Sequence, residues 1–115
     1  MIRLPWPPSV LSPNDRSHWA KKSKVRAKYR SDCYYITKSF PIPAFADGNI
    51  PLTIIFYPPS KRGFDADNLH ARLKGGLDGV ADAWGINDRR FLPITIDFGN
   101  VEKGGCVEIY ISENK

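Results

Sequence analysis

Two aspartates, Asp65 and Asp67, stand two positions apart near the middle of the chain and are followed directly by Asn68. They lie in a basic protein, in which 17 lysines and arginines outnumber 12 aspartates and glutamates for a formal net charge of +5. Like charges this close repel, so a fold keeps them for helix capping or for a cation. Carboxylates at positions i and i+2 of an extended segment point to the same side. Mg²⁺ is commonly held by one or two carboxylates, with waters and substrate phosphates completing its shell.

Capping explains only part of this pair. Either acid can be the N-cap of the helix that follows, and acids in a first helical turn suit the helix dipole. A cap uses one acid, however, and leaves the second unexplained. A metal site needs a third acid from elsewhere, and Asp88 is the best candidate, although Asn87-Asp88 is also good turn chemistry. Both interpretations stay open on the residues alone.

A cation on the same helix could assist at a phosphate. Asp67 and Lys74 share one stripe of the predicted helix, and Asp65 and Arg72 align seven positions apart. Lys74 or Arg72 could therefore stabilise negative charge at a phosphorus under attack. The alternative for each is an ordinary solvated charge. Asp78 and Asp82 are expected to face solvent or to pair with a base.

Positive charge is concentrated before this motif. Residues 16–30 contain seven cations and no acid: Arg16, Lys21, Lys22, Lys24, Arg26, Lys28 and Arg30. With a sequence pI of about 9.4, this favours a polyanionic partner, nucleic acid first and anionic membrane second. A solvated helix face is the alternative for this stretch.

Periodicity predicts six elements to position these residues. The second helix has the clearest signal, because its apolar residues repeat at offsets of three and four from Leu69 to Trp84, and Gly85 suits its C-terminal cap. The apolar positions of the first helix begin at Trp19. The predicted elements are strand Ile2–Trp6, a loop over 9–16, helix Ser17–Ser39, strand Ile50–Tyr57, a loop over 58–64, helix Ala66–Trp84, strand Pro93–Gly99, a turn over 103–105 and strand Cys106–Ser112.

The order β-α-β-α-β-β predicts an α+β fold, a mixed or antiparallel sheet with helices on one face. The last two strands are expected to form a hairpin. Trp84, Phe91, Phe98 and Tyr110 are expected in the core. Gly75 and Gly76 inside the second helix predict a close approach to the sheet, to a second subunit or to DNA, because each costs up to roughly 1 kcal/mol relative to alanine.

The length of 115 residues suits one domain spanning 1–115. No apolar run is long enough for a transmembrane helix, and the first residues lack the apolar core of a signal peptide. Cys33 and Cys106 are therefore expected to be reduced thiols in a cytoplasmic protein.

Four segments together resemble the RusA family of Holliday-junction resolvases. They are LPWPPS at 4–9, DADNL at 65–69, LKGGLDGVADAWG at 73–85 and NDRRF at 87–91. The resemblance covers nearly the whole chain and is most specific from Phe64 to Phe91. It implies a RusA-like fold and a small homodimeric endonuclease, dependent on Mg²⁺ or Mn²⁺ and on no small-molecule cofactor, that makes paired nicks in four-way DNA junctions during recombination and repair.

Carried over by position, Asp65, Asp67 and Asp88 match the metal-binding carboxylates of that family, and Asn68 matches the motif asparagine. The family places a catalytic lysine four residues after the second aspartate, where this chain has Ala71. A short insertion brings Lys74 into that register, with Arg72 as its substitute.

DNA contacts near the cut are expected from the basic residues that flank the acids. These are Lys61, Arg62, Arg89 and Arg90, with Arg16, Lys21 and Lys22 further away on the first helix and its loop. Two other functions stay open. One is a non-catalytic nucleic-acid-binding module whose acids are caps, and the other is a nuclease that acts on flap or fork DNA.

Overall fold

The computed structural model describes residues 1–45 and 47–111. The elements are β1 (Ile2–Pro5), α1 (Trp19–Lys38), β2 (Leu52–Tyr57), α2 (Ala66–Trp84), β3 (Ile94–Phe98) and β4 (Cys106–Ile111), with short 3-10 turns at Ser9–Leu11 and Asp88–Arg90. The predicted order of strands and helices is confirmed, and the bounds agree to within two residues. Ser112, the predicted end of the last strand, lies outside the described residues.

The four strands form one mixed sheet in the order β1-β4-β2-β3. β3 runs parallel to β2, and β4 runs antiparallel to both β1 and β2. The predicted hairpin between β3 and β4 is therefore wrong. After β3 the chain crosses the end of β2 instead, because the Gly99 and Glu102 amides donate to the Phe56 and Pro58 carbonyl oxygens, each at 2.9 Å.

Strand alternation gives the sheet one apolar face. Leu52, Ile54 and Phe56 of β2 are buried, while the residues between them are only half-buried. Across the sheet Ile54 pairs with Ile96 on β3 and with Ile109 on β4. Both helices add side chains to the same core, so the expectation of an α+β domain with its helices on one face is confirmed.

Three glycines of α2 let it approach α1 closely. A Cβ at Gly76 would lie 2.7 Å from Cε2 of Tyr29, and one at Gly79 would lie 2.3 Å from the carbonyl oxygen of Arg30. A Cβ at Gly75 would lie 3.0 Å from Cγ of Arg26. The close approach predicted at Gly75 and Gly76 exists, but its partner is α1 and not the sheet, a second subunit or DNA.

Two of the four aromatic residues predicted in the core lie there. Trp84 and Phe91 are buried as predicted, whereas Phe98 and Tyr110 are exposed and those predictions are wrong. Tyr110 alternates with the buried Ile109 and so points to the open face of the sheet. Trp19 was expected on the apolar stripe of α1 and is 75% exposed. Val25 on that stripe lies six residues after Trp19. At about 100° per residue this is a rotation of about 600°, so the two side chains point about 120° apart around the helix.

Both cysteines are free and buried. Within 1–45 and 47–111, neither helix combines the length and the apolar character that crossing a membrane requires.

Candidate metal and nucleic-acid site

Asp65 is the N-cap of α2. Its backbone is extended, with φ −87° and ψ 127°. Its Oδ1 accepts hydrogen bonds from the Asp67 amide at 2.8 Å and from the Asn68 amide at 3.3 Å. The capping interpretation is therefore confirmed for Asp65. Capping uses one carboxylate oxygen, and Oδ2 receives no hydrogen bond from the described residues.

Asp67 is not used by the cap. It lies exposed in the first turn of α2, where an anion is favoured by the helix dipole. Its side chain forms no hydrogen bond and no ion pair with any residue of 1–45 or 47–111. The Asp67 carboxylate is thus without a cation partner among the described residues, two positions from a second carboxylate with an unused oxygen.

This pair fits a hard divalent cation of the Mg²⁺ type. Such an ion takes one or two protein carboxylates and leaves its other positions to water and phosphate oxygens. Asp65 through Oδ2 and Asp67 would hold it. In the described part of the chain, no three histidine, cysteine, aspartate or glutamate side chains are grouped closely enough to hold a metal ion.

A cleft of about 530 Å³ opens beside Asp65. Asn68 lines it and donates from Nδ2 to Oγ of Ser12 at 2.8 Å. This bond joins α2 to the segment after the 3-10 turn at Ser9–Leu11. Asn68, which matches the motif asparagine, thus forms part of the wall of the cleft.

Arg72 reaches the same cleft from inside the protein. It is only 6% exposed, and it donates from Nη2 to the carbonyl oxygen of Pro7 at 2.7 Å. Its Nε is buried without a partner, and no acid of the described residues pairs with it. Burial, followed by the charge of Arg62, lowers the pKa of its guanidinium. A buried cation that lacks an acid is costly, and an anion in the cleft would offset that cost.

The loop before α2 adds exposed positive charge. Lys61 and Arg62 are exposed, and the Arg62 guanidinium lies 5.0 Å from the ring centroid of Phe64. Of the more distant predicted contacts, Arg16 and Lys21 are exposed, and Lys22 donates from Nζ to the Ser12 carbonyl oxygen at 3.3 Å. Arg62 therefore lines the cleft directly, while Lys22 reaches it only through its bond to Ser12.

The other half of α2 carries acids that are matched by cations. Lys74 donates to Oδ2 of Asp88 and, at 3.3 Å, to Oδ1 of Asp78. Arg30 holds Asp82 with two hydrogen bonds of 2.7 and 3.0 Å. The prediction that Asp78 and Asp82 pair with a base is confirmed.

Hydrogen bonding sets the charges in this second cluster. The bond from Lys74 lowers the pKa of Asp88, and the same bond raises the pKa of Lys74. Partial burial raises the pKa of Asp78. Lys74 is consequently a stable cation and not a proton acceptor at neutral pH.

Asp88 follows α2 and accepts the hydrogen bond from Lys74, whereas Asp65 and Asp67 lie at the start of that helix. Seven residues of helix separate Lys74 from Asp67, a rise of about 10.5 Å along the helix axis. That Asp65, Asp67 and Asp88 together bind one ion stays a prediction.

His70 was missed at the sequence level. It lies three residues after Asp67 and four before Lys74, on the same helix stripe. It lines a second cleft of about 310 Å³ together with Lys74 and Asp88, and its Nε2 is buried without a partner. The spacing was visible in the sequence, but a single histidine beside an apolar stripe carries no signal of its own.

The two arginines after Asp88 differ in role. Asn87 Oδ1 accepts the Arg89 amide at 2.9 Å and so caps the 3-10 turn at Asp88–Arg90, while Arg89 is exposed. Arg90 donates from Nε to the Gly48 carbonyl oxygen at 2.7 Å. Arg89 is therefore the more accessible of the two for a ligand.

Comparison with known proteins gives one informative result. No family model matches the chain. An uncharacterized protein of Xylella fastidiosa (strain Temecula1 / ATCC 700964) is 38% identical over 118 residues, which cover 96% of this chain and 74% of that protein. The chain belongs to the same family as this Xylella protein. That relative has no assigned activity, so the argument for function rests on the site itself.

The start of α2 places Asp65 and the buried guanidinium of Arg72 at one open cleft, with the exposed Asp67 two residues after Asp65. Lys74, in the middle of α2, lines the second cleft and is held by acids. Carboxylates that can hold a divalent cation and cations that can hold an anion are the groups that phosphoryl-transfer chemistry requires.

Proposed function

We propose that the chain is a Mg²⁺- or Mn²⁺-dependent endodeoxyribonuclease with a RusA-like fold that cuts four-way DNA junctions by paired symmetric nicks. The motif resemblance over the chain supports this proposal. The observation that carries it is the Asp67 carboxylate, which has no cation partner among the described residues although the chain has an excess of cations, and which stands beside the half-used carboxylate of Asp65.

Asp65 and Asp67 would hold the ion at the mouth of the cleft. When bound, such an ion lowers the pKa of a water and offsets charge on phosphate oxygens. The cap bonds from Asp65 to the α2 backbone fix the orientation of its carboxylate, which leaves Oδ2 directed away from the helix amides.

Arg72, Arg62 and Asn68 would hold the DNA backbone in the cleft. Arg72 is fixed by the Pro7 carbonyl oxygen and lines the cleft without an acid partner, so its charge would favour a phosphate there. Arg62 and Lys61 on the preceding loop would add contacts to neighbouring phosphates. Such contacts give affinity and position without reading sequence.

Lys74 would supply positive charge further along the same strand of DNA. Asp88 and Asp78 hold its ammonium in place, and their bonds keep it protonated. We assign Asp88 as the residue that positions Lys74 in this chain. Replacing Lys74 by alanine is then expected to slow single-turnover cleavage more than it weakens DNA binding, whereas replacing Arg72 weakens binding.

A homodimer belongs to the proposal. A four-way junction has near two-fold symmetry, and a C2 dimer would present two equivalent sites to it. Sedimentation of the full chain with and without a junction tests this part separately from the chemistry.

The decisive experiment uses a labelled synthetic four-way junction with Mg²⁺, compared with EDTA. Asp67→Asn is expected to reduce symmetric nicking by about a hundredfold or more. The substitution removes a carboxylate that would hold the ion, and with the ion goes the stabilisation of charge at the reacting phosphate. Asp97→Asn is the matched control, since Asp97 is an exposed acid on β3. Undiminished cutting by Asp67→Asn would reject the assigned site. Flap, fork and duplex substrates of the same length show whether the four-way junction is preferred.

A non-catalytic nucleic-acid-binding module is the second candidate. The cap formed by Asp65 favours it, as does the separation of Asp88 from the other two acids. It predicts junction binding with no nicking in Mg²⁺ or Mn²⁺, and binding that Asp67→Asn leaves unchanged or strengthens.

A further inference from the structure

An exposed pair of rings begins α1. The indole of Trp19 is 75% exposed. Its ring centroid lies 5.5 Å from that of His18, with 35° between the planes. His18 is the N-cap of α1, and its Nδ1 accepts the Ala20 amide at 3.2 Å. That bond orients the imidazole against the exposed indole.

Unpaired positive charge surrounds these rings. Lys22 and Arg26 follow Trp19 at offsets of three and seven, which places the three side chains on one stripe of the helix. Five cations near the rings form no ion pair with residues of 1–45 and 47–111: Arg16, Lys21, Lys22, Lys24 and Arg26. The cations further along α1 differ, since Lys28 pairs with Asp32 and Arg30 with Asp82.

The combination matches one class of ligand. Proteins bind single-stranded nucleic acid by stacking bases on aromatic side chains while a positive groove follows the backbone. Bases within a duplex are already stacked and offer no free face. We propose that His18 and Trp19 form a stacking platform for unpaired bases, with Lys22 and Arg26 holding the adjoining phosphates. This deepens the proposed function and rests on its nucleic-acid-binding part.

The platform leads towards the cleft beside Asp65. Lys22 donates to the Ser12 carbonyl oxygen, and Ser12 Oγ accepts the Asn68 amide group that lines the cleft. Arg26 lies against α2 at Gly75. A strand whose bases rest on Trp19 can therefore run over Lys22 towards the carboxylates, which suits a substrate with unpaired nucleotides near the cut.

A second copy of the chain is the competing occupant. An exposed aromatic surface with a charged rim also occurs at protein interfaces. Five unbalanced cations disfavour contact between two identical patches, because like charges would face each other. Nucleic acid neutralises them instead.

The test measures binding of the full chain to a labelled oligothymidylate and to a duplex of equal length, in EDTA so that no strand is cut. Trp19→Ala is expected to weaken binding of the single strand by roughly 5- to 30-fold, the loss of one stacked base, and binding of the duplex by less than about twofold. Trp19→Phe should retain most of the affinity. Tyr35→Ala is the matched control, since Tyr35 is 69% exposed on the same helix and should bind as the wild type does.

Tryptophan fluorescence gives a direct second measurement. Oligothymidylate should quench the wild type, and Trp19→Ala should lose most of that quenching, since Trp84 is buried and Trp6 is partly buried. Equal single-strand affinity of Trp19→Ala and wild type overturns the platform. So does a Trp19-dependent self-association seen by sedimentation without nucleic acid. Trp19-dependent binding without nicking of any substrate would leave the platform standing and reject the nuclease alone.

Discussion

The two ends of α2 treat the same residue type in opposite ways. At its start, the Asp65 carboxylate accepts hydrogen bonds only from backbone amides, and the Asp67 carboxylate forms none with the described residues. Towards and beyond its end, every acid contacts a cation, either Lys74 or Arg30; these acids are Asp78, Asp82 and Asp88. Cations are in excess in this chain, so an unpaired acid is not the result of a shortage. The paired acids already have a cation beside them, whereas the carboxylates at the start of α2 are available to a ligand.

The largest expected effect tests whether Asp65 only caps α2 or also binds the metal ion. Asparagine caps a helix about as well as aspartate does, so Asp65→Asn should change the free energy of unfolding by less than about 0.5 kcal/mol. Junction cleavage should nevertheless fall by about a hundredfold or more, because the carboxylate is lost. Asp65→Ala should lose both activity and about 1 kcal/mol of stability. Wild-type cleavage by Asp65→Asn, measured beside its urea unfolding curve, would show that Asp65 is only a cap.

A smaller effect tests how closely the second half of α2 packs against α1. Gly79→Ala should destabilise the protein by about 1–3 kcal/mol, although alanine favours helix by up to about 1 kcal/mol. The reason is the contact with α1, where the added Cβ would meet the Arg30 carbonyl oxygen at 2.3 Å. Gly63→Ala is the control, because a Cβ there meets nothing within 4 Å. Unchanged thermal melting of Gly79→Ala would mean that α1 and α2 pack less closely.

The smallest effect is the pH dependence at Asp88. Its pKa is lowered chiefly by the hydrogen bond from Lys74. A lowered pKa in the folded state contributes stability that is present above the unfolded value of about 3.9, and this stability is lost as pH falls through the folded value. Asp88→Asn should therefore cost less than about 1 kcal/mol at neutral pH and nothing in strong acid. Urea unfolding of the variant and the wild type at a series of pH values measures this. A difference in the free energy of unfolding that does not vary with pH would contradict the prediction.

Local features of the site could be predicted from the sequence. The start of α2, its cap at Asp65 or Asp67, its glycine stop and the position of Asn68 depend on neighbours within one or two turns. The strand order did not follow from the sequence, because the bonds that take the chain across the end of β2 join residues more than 40 positions apart.

The same limit applies to the remaining site residues. The partner of Asp88 depends on how the turn after α2 folds back onto Lys74. The burial of Arg72 depends on Pro7, 65 positions away. The exposure of Trp19 follows from its angle to the stripe of α1 that packs on the core, and this stripe begins only at Val25. The predicted helix from Ser17 placed Trp19 on that stripe, so its exposure was not predicted.

The central claim is that the unpaired carboxylates at the start of α2 bind a divalent cation and that the paired acids at its far end do not. Titration of the isotope-labelled full chain with Mn²⁺, followed by paramagnetic broadening of backbone amide signals, tests it without requiring activity. Broadening should centre on residues 65–68, saturate, and weaken strongly in Asp67→Asn. Broadening centred on Asp78 and Asp88, or the same broadening in Asp67→Asn as in the wild type, would contradict it.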